Sequence, residues 1–274
     1  MRRFLNILYA DLRRLVRLPA FWMLSVAFSL LSPLPLLLRL PRLISGYYGG
    51  FDATEGLFSF LPFIGLALAI LLPFYLHKTD IHKHEMGLSN AITYASNLIV
   101  IYLVGIFWML CAILMHLLTA ELLTLALIGG NADIAVHWFR ANANPFLLLP
   151  EVLCNLLAHA AFTLCICTLW HGKYRRLGIG IGAQLALAAC AILLLPSLTW
   201  QLMAVGTQGG FLEYLGFLAE WVELLLPVTG SLHIALDGWL ELRVYPNTVL
   251  CSLILALLAT IPCVVPPPKA KEAI

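Results

Sequence analysis

The chain has 274 residues, of which 62% are hydrophobic and 11% are charged, and its mean hydropathy is +0.94. Soluble domains carry about 25% charged residues, so a chain this apolar cannot cover a surface that faces water. Its net charge is only +2. The composition excludes a soluble globular protein and predicts an integral membrane protein with no nucleic-acid partner. Long unbroken apolar runs favour spanning helices over the short alternating segments of a barrel.

The first 20 residues predict a basic amphipathic helix at a membrane surface. Apolar residues recur at near-helical spacing from Phe4 to Val16, and five arginines supply the polar face together with Asp11. A signal peptide is the alternative. The arginines extend to Arg17, however, which makes the charged region too long, and no small-residue cleavage site follows the apolar run.

Six apolar runs predict an all-α membrane protein with six transmembrane helices, in which residues 1–274 form one transmembrane domain. The predicted spans are 21–38, 57–76, 98–118, 146–170, 177–198 and 248–265. Residues 211–242 carry two short helical patterns around Pro227 and Gly230, which indicates a re-entrant helical hairpin between spans five and six. One further irregular span is the alternative, and it would place the C-terminus outside.

Lysines and arginines are distributed unequally between the two sides of this topology. Twelve of the sixteen fall in residues 1–20, 77–97 and 171–176 and in the C-terminal tail, which share one side. Cytoplasmic loops are the ones enriched in lysine and arginine. Both termini and the polar segment 77–97 are therefore predicted to be cytoplasmic.

No sequence motif for nucleotide, metal or hydrolytic chemistry is present. Lys173 follows a glycine but precedes Tyr174, where a phosphate-binding loop needs serine or threonine. The histidines of residues 77–85 and Glu85 lie close together, but their spacing matches no known type of metal site. We predict no catalytic residue, no metal site and no directly bound cofactor.

Polar side chains inside the predicted spans are candidates for function, because ionisable groups in a membrane are costly to bury. The candidates for a transport path are His116, Asn155, His159 and Gln184. Structural hydrogen bonds between helices are the alternative for all four. Glu121 and Glu151 lie near predicted span ends, where they could reach lipid headgroups.

The segment 77–97 carries most of the polar chemistry of the predicted cytoplasmic side. Residues 85–95 can form a short helix with an apolar side, suited to docking in a groove of a soluble protein. An ordinary interfacial linker is the alternative.

These features together resemble the permease subunit of ABC-2 type transporters, including those of lantibiotic and peptide export or immunity. In that family the segment after the second span has a pattern similar to E-x-x-G-T-x-x-N-x-x-x-x-x-x-S-R. The similar residues here are Glu85, Gly87, Asn90 and Ser96. Glu85 lies two residues before the glycine, and Leu88 and Asn97 stand where the family has threonine and arginine.

The resemblance implies a coupling helix within residues 80–97 that contacts a separate ABC ATPase subunit, which would bind ATP and Mg²⁺. The implied coupling residues are Asp80, Glu85, Met86, Gly87, Asn90, Ser96 and Asn97. The implied outer gate consists of Glu220, Glu223, Pro227 and Gly230.

The resemblance further implies a second permease chain, as a homodimer or heterodimer, in a bacterial cytoplasmic membrane. A small chain with no large outer domain is typical of a peptide, antibiotic or lipid-like cargo moved outward. Two other functions remain open: an intramembrane enzyme acting on lipid-linked groups, and a non-transporting assembly or sensor subunit.

Overall fold

The computed structural model describes residues 2–38, 56–85, 87–128, 145–169, 214, 221, 225–240 and 246–264. Every regular element in these residues is helical. The elements are α1 (Arg2–Val16), α2 (Pro19–Leu31), α3 (Leu34–Leu38), α4 (Leu61–Glu85), α5 (Asn90–Ile128), a 3-10 turn (Pro145–Leu148), α6 (Leu149–Leu169), α7 (Pro227–Leu240) and α8 (Pro246–Val264). The predicted all-α fold class is confirmed for this part of the chain.

Within the described residues, four helical stretches are long and apolar enough to cross a membrane. They are Pro19–Leu38, Asn90–Leu123, Leu149–Cys167 and Asn247–Val264, and they match the predicted first, third, fourth and sixth spans. The described apolar part of α4, Leu61–Leu72, is shorter than these stretches. The predicted fifth span, 177–198, lies outside the described residues, as does most of the first half of the predicted hairpin.

Long apolar stripes remain exposed on the outer faces of these helices. On α5 the stripe runs from Leu103 to Leu125, and on α8 from Leu250 to Ile261. Monomeric soluble proteins rarely expose contiguous apolar surface of this length, whereas a lipid bilayer covers it at no cost. The chain is therefore a multi-pass helical membrane protein.

Helix α6 occupies the centre of the bundle and packs against α4, α5, α7 and α8. In its apolar stretch, 61% of the residues are buried. The corresponding share is 33% both for the stretch formed by α2 and α3 and for that of α8. Ala158, Ala160 and Ala161 are fully buried, and small residues of this kind let neighbouring helix backbones approach closely. Side chains on α6 can therefore contact several helices.

Helix α2 is fixed against α5 by an aromatic cluster with one polar bond. The Trp108 indole Nε1 donates to Ser25 Oγ at 3.0 Å. The centroid of the Trp108 ring lies 5.0 Å from that of the Phe28 ring. The Trp108 and Phe21 rings are stacked, with their centroids 6.5 Å apart. This packing places the first span alongside the third.

The predicted polar loop 77–97 is largely helical, which differs from the expected short separate helix over 85–95. Helix α4 continues to Glu85, and α5 starts at Asn90. Gly87 has a φ of 68° and the Leu88 N–H donates to the Lys83 carbonyl at 3.2 Å, which is a Schellman ending. Two long helices are thus joined by a tight turn that includes Gly87, Leu88 and Ser89, which we call the α4–α5 turn.

Ser89 starts α5 as its N-cap. The Ile92 N–H donates to Ser89 Oγ at 3.4 Å, and the Thr93 N–H donates to the Ser89 carbonyl at 3.0 Å. A serine side chain in this position satisfies a backbone donor that has no partner within the helix. The sequence Gly-Leu-Ser therefore ends one helix and begins the next within four residues.

Candidate functional site

A buried ion pair joins α1 to the helices on both sides of the α4–α5 turn. Lys83 Nζ lies 2.5 Å from Asp11 Oδ2, and the two side chains are 1% and 2% exposed. Lys83 also donates to Asn97 Oδ1 at 2.6 Å and to Ser96 Oγ at 3.3 Å. Ser96 Oγ in turn donates to Asp11 Oδ2 at 3.0 Å. We call these four residues the Asp11–Lys83 cluster.

The cluster satisfies its buried charge completely. A lysine ammonium has three donors, and Asp11, Ser96 and Asn97 provide three acceptors. Removing one member of a buried ion pair costs about 3–5 kcal/mol, because the remaining charge has no compensation. The pair therefore holds α1, α4 and α5 in one arrangement at this end of the bundle.

The structure separates the predicted coupling residues into different environments. Gly87 and Asn90 are exposed, whereas Ser96 and Asn97 are buried in the Asp11–Lys83 cluster. Asp80 and Glu85 lie on the last turns of α4, with side chains outside the described set, and Met86 lies outside the described residues. Ser96 and Asn97 therefore face the bundle and not an external partner.

A small exposed surface remains at the α4–α5 turn. Gly87 and residues 89–92 are exposed, and Ile92 presents an apolar side chain that is 42% exposed. Thr93 and Tyr94 are buried immediately after it. We call Gly87 together with residues 89–92 the turn surface.

A second polar cluster lies further along the bundle, between α6 and α7. His159 Nε2 is 2.7 Å from Ser231 Oγ, and Ser231 Oγ donates to Asn155 Oδ1 at 2.6 Å. Asn155 Nδ2 donates to the Pro227 carbonyl at 3.0 Å, which Ser231 Oγ also approaches at 2.8 Å. Asn155, His159 and Ser231 are at most 1% exposed. We call this group the Ser231 cluster.

The contacts assign the proton of the Ser231 hydroxyl. Two of its three neighbours, Asn155 Oδ1 and the Pro227 carbonyl, are oxygens that can only accept. His159 is then the group that donates, through a protonated Nε2 of the neutral ring. The proton of Ser231 points away from His159, so the imidazole does not act as its base in this arrangement.

Other candidates from the sequence lie in separate places. His116 Nδ1 is bonded to the Ser32 carbonyl at 2.9 Å, which ties α5 to the end of α2. Glu121 is exposed on α5, whereas Glu151 is fully buried one turn before Asn155. The position of Glu151 differs from the expected one at the headgroups.

The predicted gate residues are only partly described. Pro227 and Gly230 form the buried first turn of α7, next to Asn155. Glu220, Glu223 and Gln184 lie outside the described residues. Asn155, which is predicted for the path, thus donates a hydrogen bond to the carbonyl of Pro227, which is predicted for the gate.

The two clusters lie at different levels of the bundle. Lys83 belongs to the first, and Gly65, also on α4, lies against His159 of the second. Eighteen residues of helix between them correspond to roughly 27 Å, close to the hydrocarbon thickness of a bilayer. The Asp11–Lys83 cluster and the Ser231 cluster therefore lie near opposite ends of α4.

Sequence reasoning missed Asp11, Lys83 and Ser231. The sequence pattern places Asp11 on the polar side of α1 and Lys83 among the basic residues of the segment 77–97. Their pairing joins positions far apart in sequence, and no spacing pattern signals it. Asn155 and His159, four residues apart, do predict a shared helix face, but nothing local identifies Ser231 as their partner.

No protein-family model, curated protein or solved structure matches this chain. Among the described residues, no group of three or more histidine, cysteine, aspartate or glutamate side chains is placed to hold a metal ion. The class that the fold and the sites define is a multi-pass helical membrane protein with a charged cluster at one end and a neutral polar cluster towards the other.

Proposed function

We propose that the chain is the membrane-spanning permease subunit of an ABC transporter, driven by a separate ATPase subunit that binds the turn surface. The observation that carries the proposal is the link between this exposed surface and the buried Asp11–Lys83 cluster. A partner that pushes the turn acts on α1, α4 and α5 together, because Asp11, Lys83 and Ser96 join all three helices. Ser96 and Asn97 transmit the motion, while Gly87 and Asn90 make the contact.

The proposed mechanism is a population shift between two arrangements of the bundle. Nucleotide bound to the ATPase favours one arrangement by binding it more tightly, as any ligand must in order to shift such an equilibrium. The turn is short, and the Schellman ending and the Ser89 cap fix it at both sides. A rigid turn passes displacement on to the helices instead of absorbing it.

An open apolar cleft between α2 and α4 supports an apolar partner or cargo at the first two spans. Its volume is about 170 Å³. Eight apolar residues line it: Leu24, Ala27, Phe28, Leu31, Phe63, Leu66, Ala67 and Ile70. In the resembled family these spans face a second permease chain, so we place the second chain and a peptide or lipid-like cargo on this side.

The remaining topology forms part of the same proposal. Six spans place both termini in the cytoplasm of a bacterial cell, and residues 211–242 form an outer re-entrant hairpin. Helix α7 would be its second half, held to α6 through Asn155 and Pro227. Export is the proposed direction.

An intramembrane enzyme is the competing function, and the contact between His159 and Ser231 is the observation in its favour. Two facts weigh against it. The Ser231 proton is directed to oxygen acceptors, and Ser231 is fully buried. The permease is therefore the better-supported proposal.

Copurification tests the permease proposal. The tagged chain is purified from its own membranes, and bound ATPase and ATP hydrolysis are measured. Asn90→Lys on the turn surface is expected to lower bound ATPase by at least tenfold. Asn247→Lys is the matched control, because Asn247 is an exposed asparagine in the first turn of α8.

Two results would contradict the proposal. One is a wild-type chain that copurifies with no ATPase. The other is ATP hydrolysis in membranes that does not change when this chain is absent. A sensor subunit would bind the ATPase without supporting ATP-driven cargo movement.

A further inference from the structure

Helix α1 has three distinct faces in the structure. Leu8, Asp11 and Leu15 pack towards the bundle. Leu5, Tyr9 and Val16 share a second face and are 57%, 68% and 43% exposed. The third face carries exposed arginines. They are Arg13 and Arg14 on the last turn and Arg17 just after it.

The position of α1 places the two exposed faces at a membrane surface. The chain turns at Arg17 and Leu18, and Pro19 begins the first membrane-spanning stretch. The Trp22 indole donates to the Val16 carbonyl at 2.8 Å, and its side chain is 50% exposed. Tryptophan with this mixture of polar bond and exposed ring is enriched at the membrane–water interface.

The charge on the exposed part of α1 is of one sign. Asp11 is the only acidic residue among the first 20, and it is buried against Lys83. Arginine matches phosphate geometry through two parallel N–H donors. Exposed arginines beside an exposed apolar face match the surface of a phospholipid membrane, where phosphate oxygens lie above the hydrocarbon region.

We propose that the outer face of α1, formed by Arg13, Arg14 and Arg17 beside Leu5 and Tyr9, is a binding surface for anionic phospholipid headgroups. Each arginine near an anionic membrane contributes about fivefold to the preference over zwitterionic lipid. Because Asp11 joins α1 to α4 and α5, bound headgroups also stabilise the helices that carry the α4–α5 turn. This inference is independent of the proposed function.

Lipid selectivity of the full-length chain tests the surface. The purified chain is reconstituted in phosphatidylcholine with trace spin-labelled phosphatidylglycerol or phosphatidylcholine. The immobilised fraction of each label gives the selectivity for the anionic lipid. The triple variant Arg13→Gln, Arg14→Gln, Arg17→Gln is expected to lose more selectivity than the about fivefold that one arginine contributes. The corresponding triple lysine variant keeps most of it, because the charge is retained.

A charge-matched control distinguishes lipid binding at α1 from a general attraction between basic residues and anionic lipid. Residues 171–176 carry three basic side chains, and the control is Lys173→Gln, Arg175→Gln, Arg176→Gln. This control is expected to keep most of the selectivity. The proposal is overturned if the wild type shows no selectivity, if the α1 glutamine variant keeps it, or if the control loses as much. Loss of a bound protein partner with unchanged lipid selectivity would instead assign the arginines to that partner.

Discussion

At the scale of single residues, Lys83 is the side chain whose environment was least visible in the sequence. It lies in a polar segment beside histidines and a glutamate, where a solvated lysine is the ordinary expectation. Its burial depends on Asp11, which belongs to a different helix. A charged side chain can be buried only where a group of opposite charge lies beside it. The sequence does not show that Asp11 is this group for Lys83.

Asp11→Asn is expected to destabilise the chain by about 3–5 kcal/mol, because the substitution leaves the Lys83 ammonium buried without a counter-charge. The double variant Asp11→Leu, Lys83→Met removes both charges and is expected to recover most of the loss. Reversible unfolding in mixed micelles measures both free energies. A single variant as stable as the wild type would show that the pair does not hold α1 in place.

Ser231→Ala is expected to cost about 1–3 kcal/mol, since it leaves the donor of His159 and the acceptor of Asn155 unsatisfied in a buried site. Ser29→Ala is the control, because Ser29 Oγ donates to the Ser25 carbonyl within its own helix at 2.9 Å. The control is expected to be nearly neutral. Equal effects of the two substitutions in the same unfolding assay would contradict the assigned hydrogen-bond chain.

At the scale of helices, the α4–α5 turn contains signals that the sequence does present. A glycine after a helical run and a serine before the next one are common stop and start signals. The apolar spacing of residues 85–95 favours a separate helix there, whereas Gly87 and Ser89 mark a helix end and a helix start within the same segment. The two signals together predict the observed α4–α5 turn.

Gly87→Ala is expected to destabilise the α4–α5 turn by about 1–2 kcal/mol, because its φ of 68° is costly for a residue with a β-carbon. Apart from its two chain neighbours, no atom of the described residues lies within 4 Å of the added carbon, so the effect is one of backbone conformation. Gly87→Asn should cost less, since asparagine adopts this conformation more readily. Unfolding measurements that rank the two variants in the opposite order would contradict the Schellman assignment.

Gly65→Ala tests the packing of α4 on α6. Its β-carbon would lie 2.7 Å from His159 Nδ1, a contact that the buried ring cannot relieve without moving. Overpacking of this kind costs about 1–3 kcal/mol. Gly105→Ala is the control, because the nearest side-chain atom, Leu156 Cδ2, is 3.6 Å away. Similar unfolding free energies for both variants would show that α4 does not lie against His159.

At the scale of the whole molecule, composition and apolar runs were sufficient to predict a helical membrane protein. The four long apolar stretches agree with four of the predicted spans because each is continuous along the chain. The polar clusters could not be predicted in the same way. The Ser231 cluster joins α6 to a helix 72 residues further along, and the Asp11–Lys83 cluster joins α1 to α4. Such contacts depend on how the helices pack, not on local pattern.

The whole-molecule prediction concerns where the chain meets a second protein. A photo-reactive amino acid is placed at Asn90 on the turn surface or, as the control, at Asn247, and native membranes are irradiated with and without ATP. A covalent adduct is expected between the Asn90 position and a subunit containing a phosphate-binding loop, with a yield that changes on adding ATP, and no such adduct is expected from Asn247. Absence of that adduct from Asn90 in a correctly folded chain, or equal adducts from both positions, would contradict this prediction.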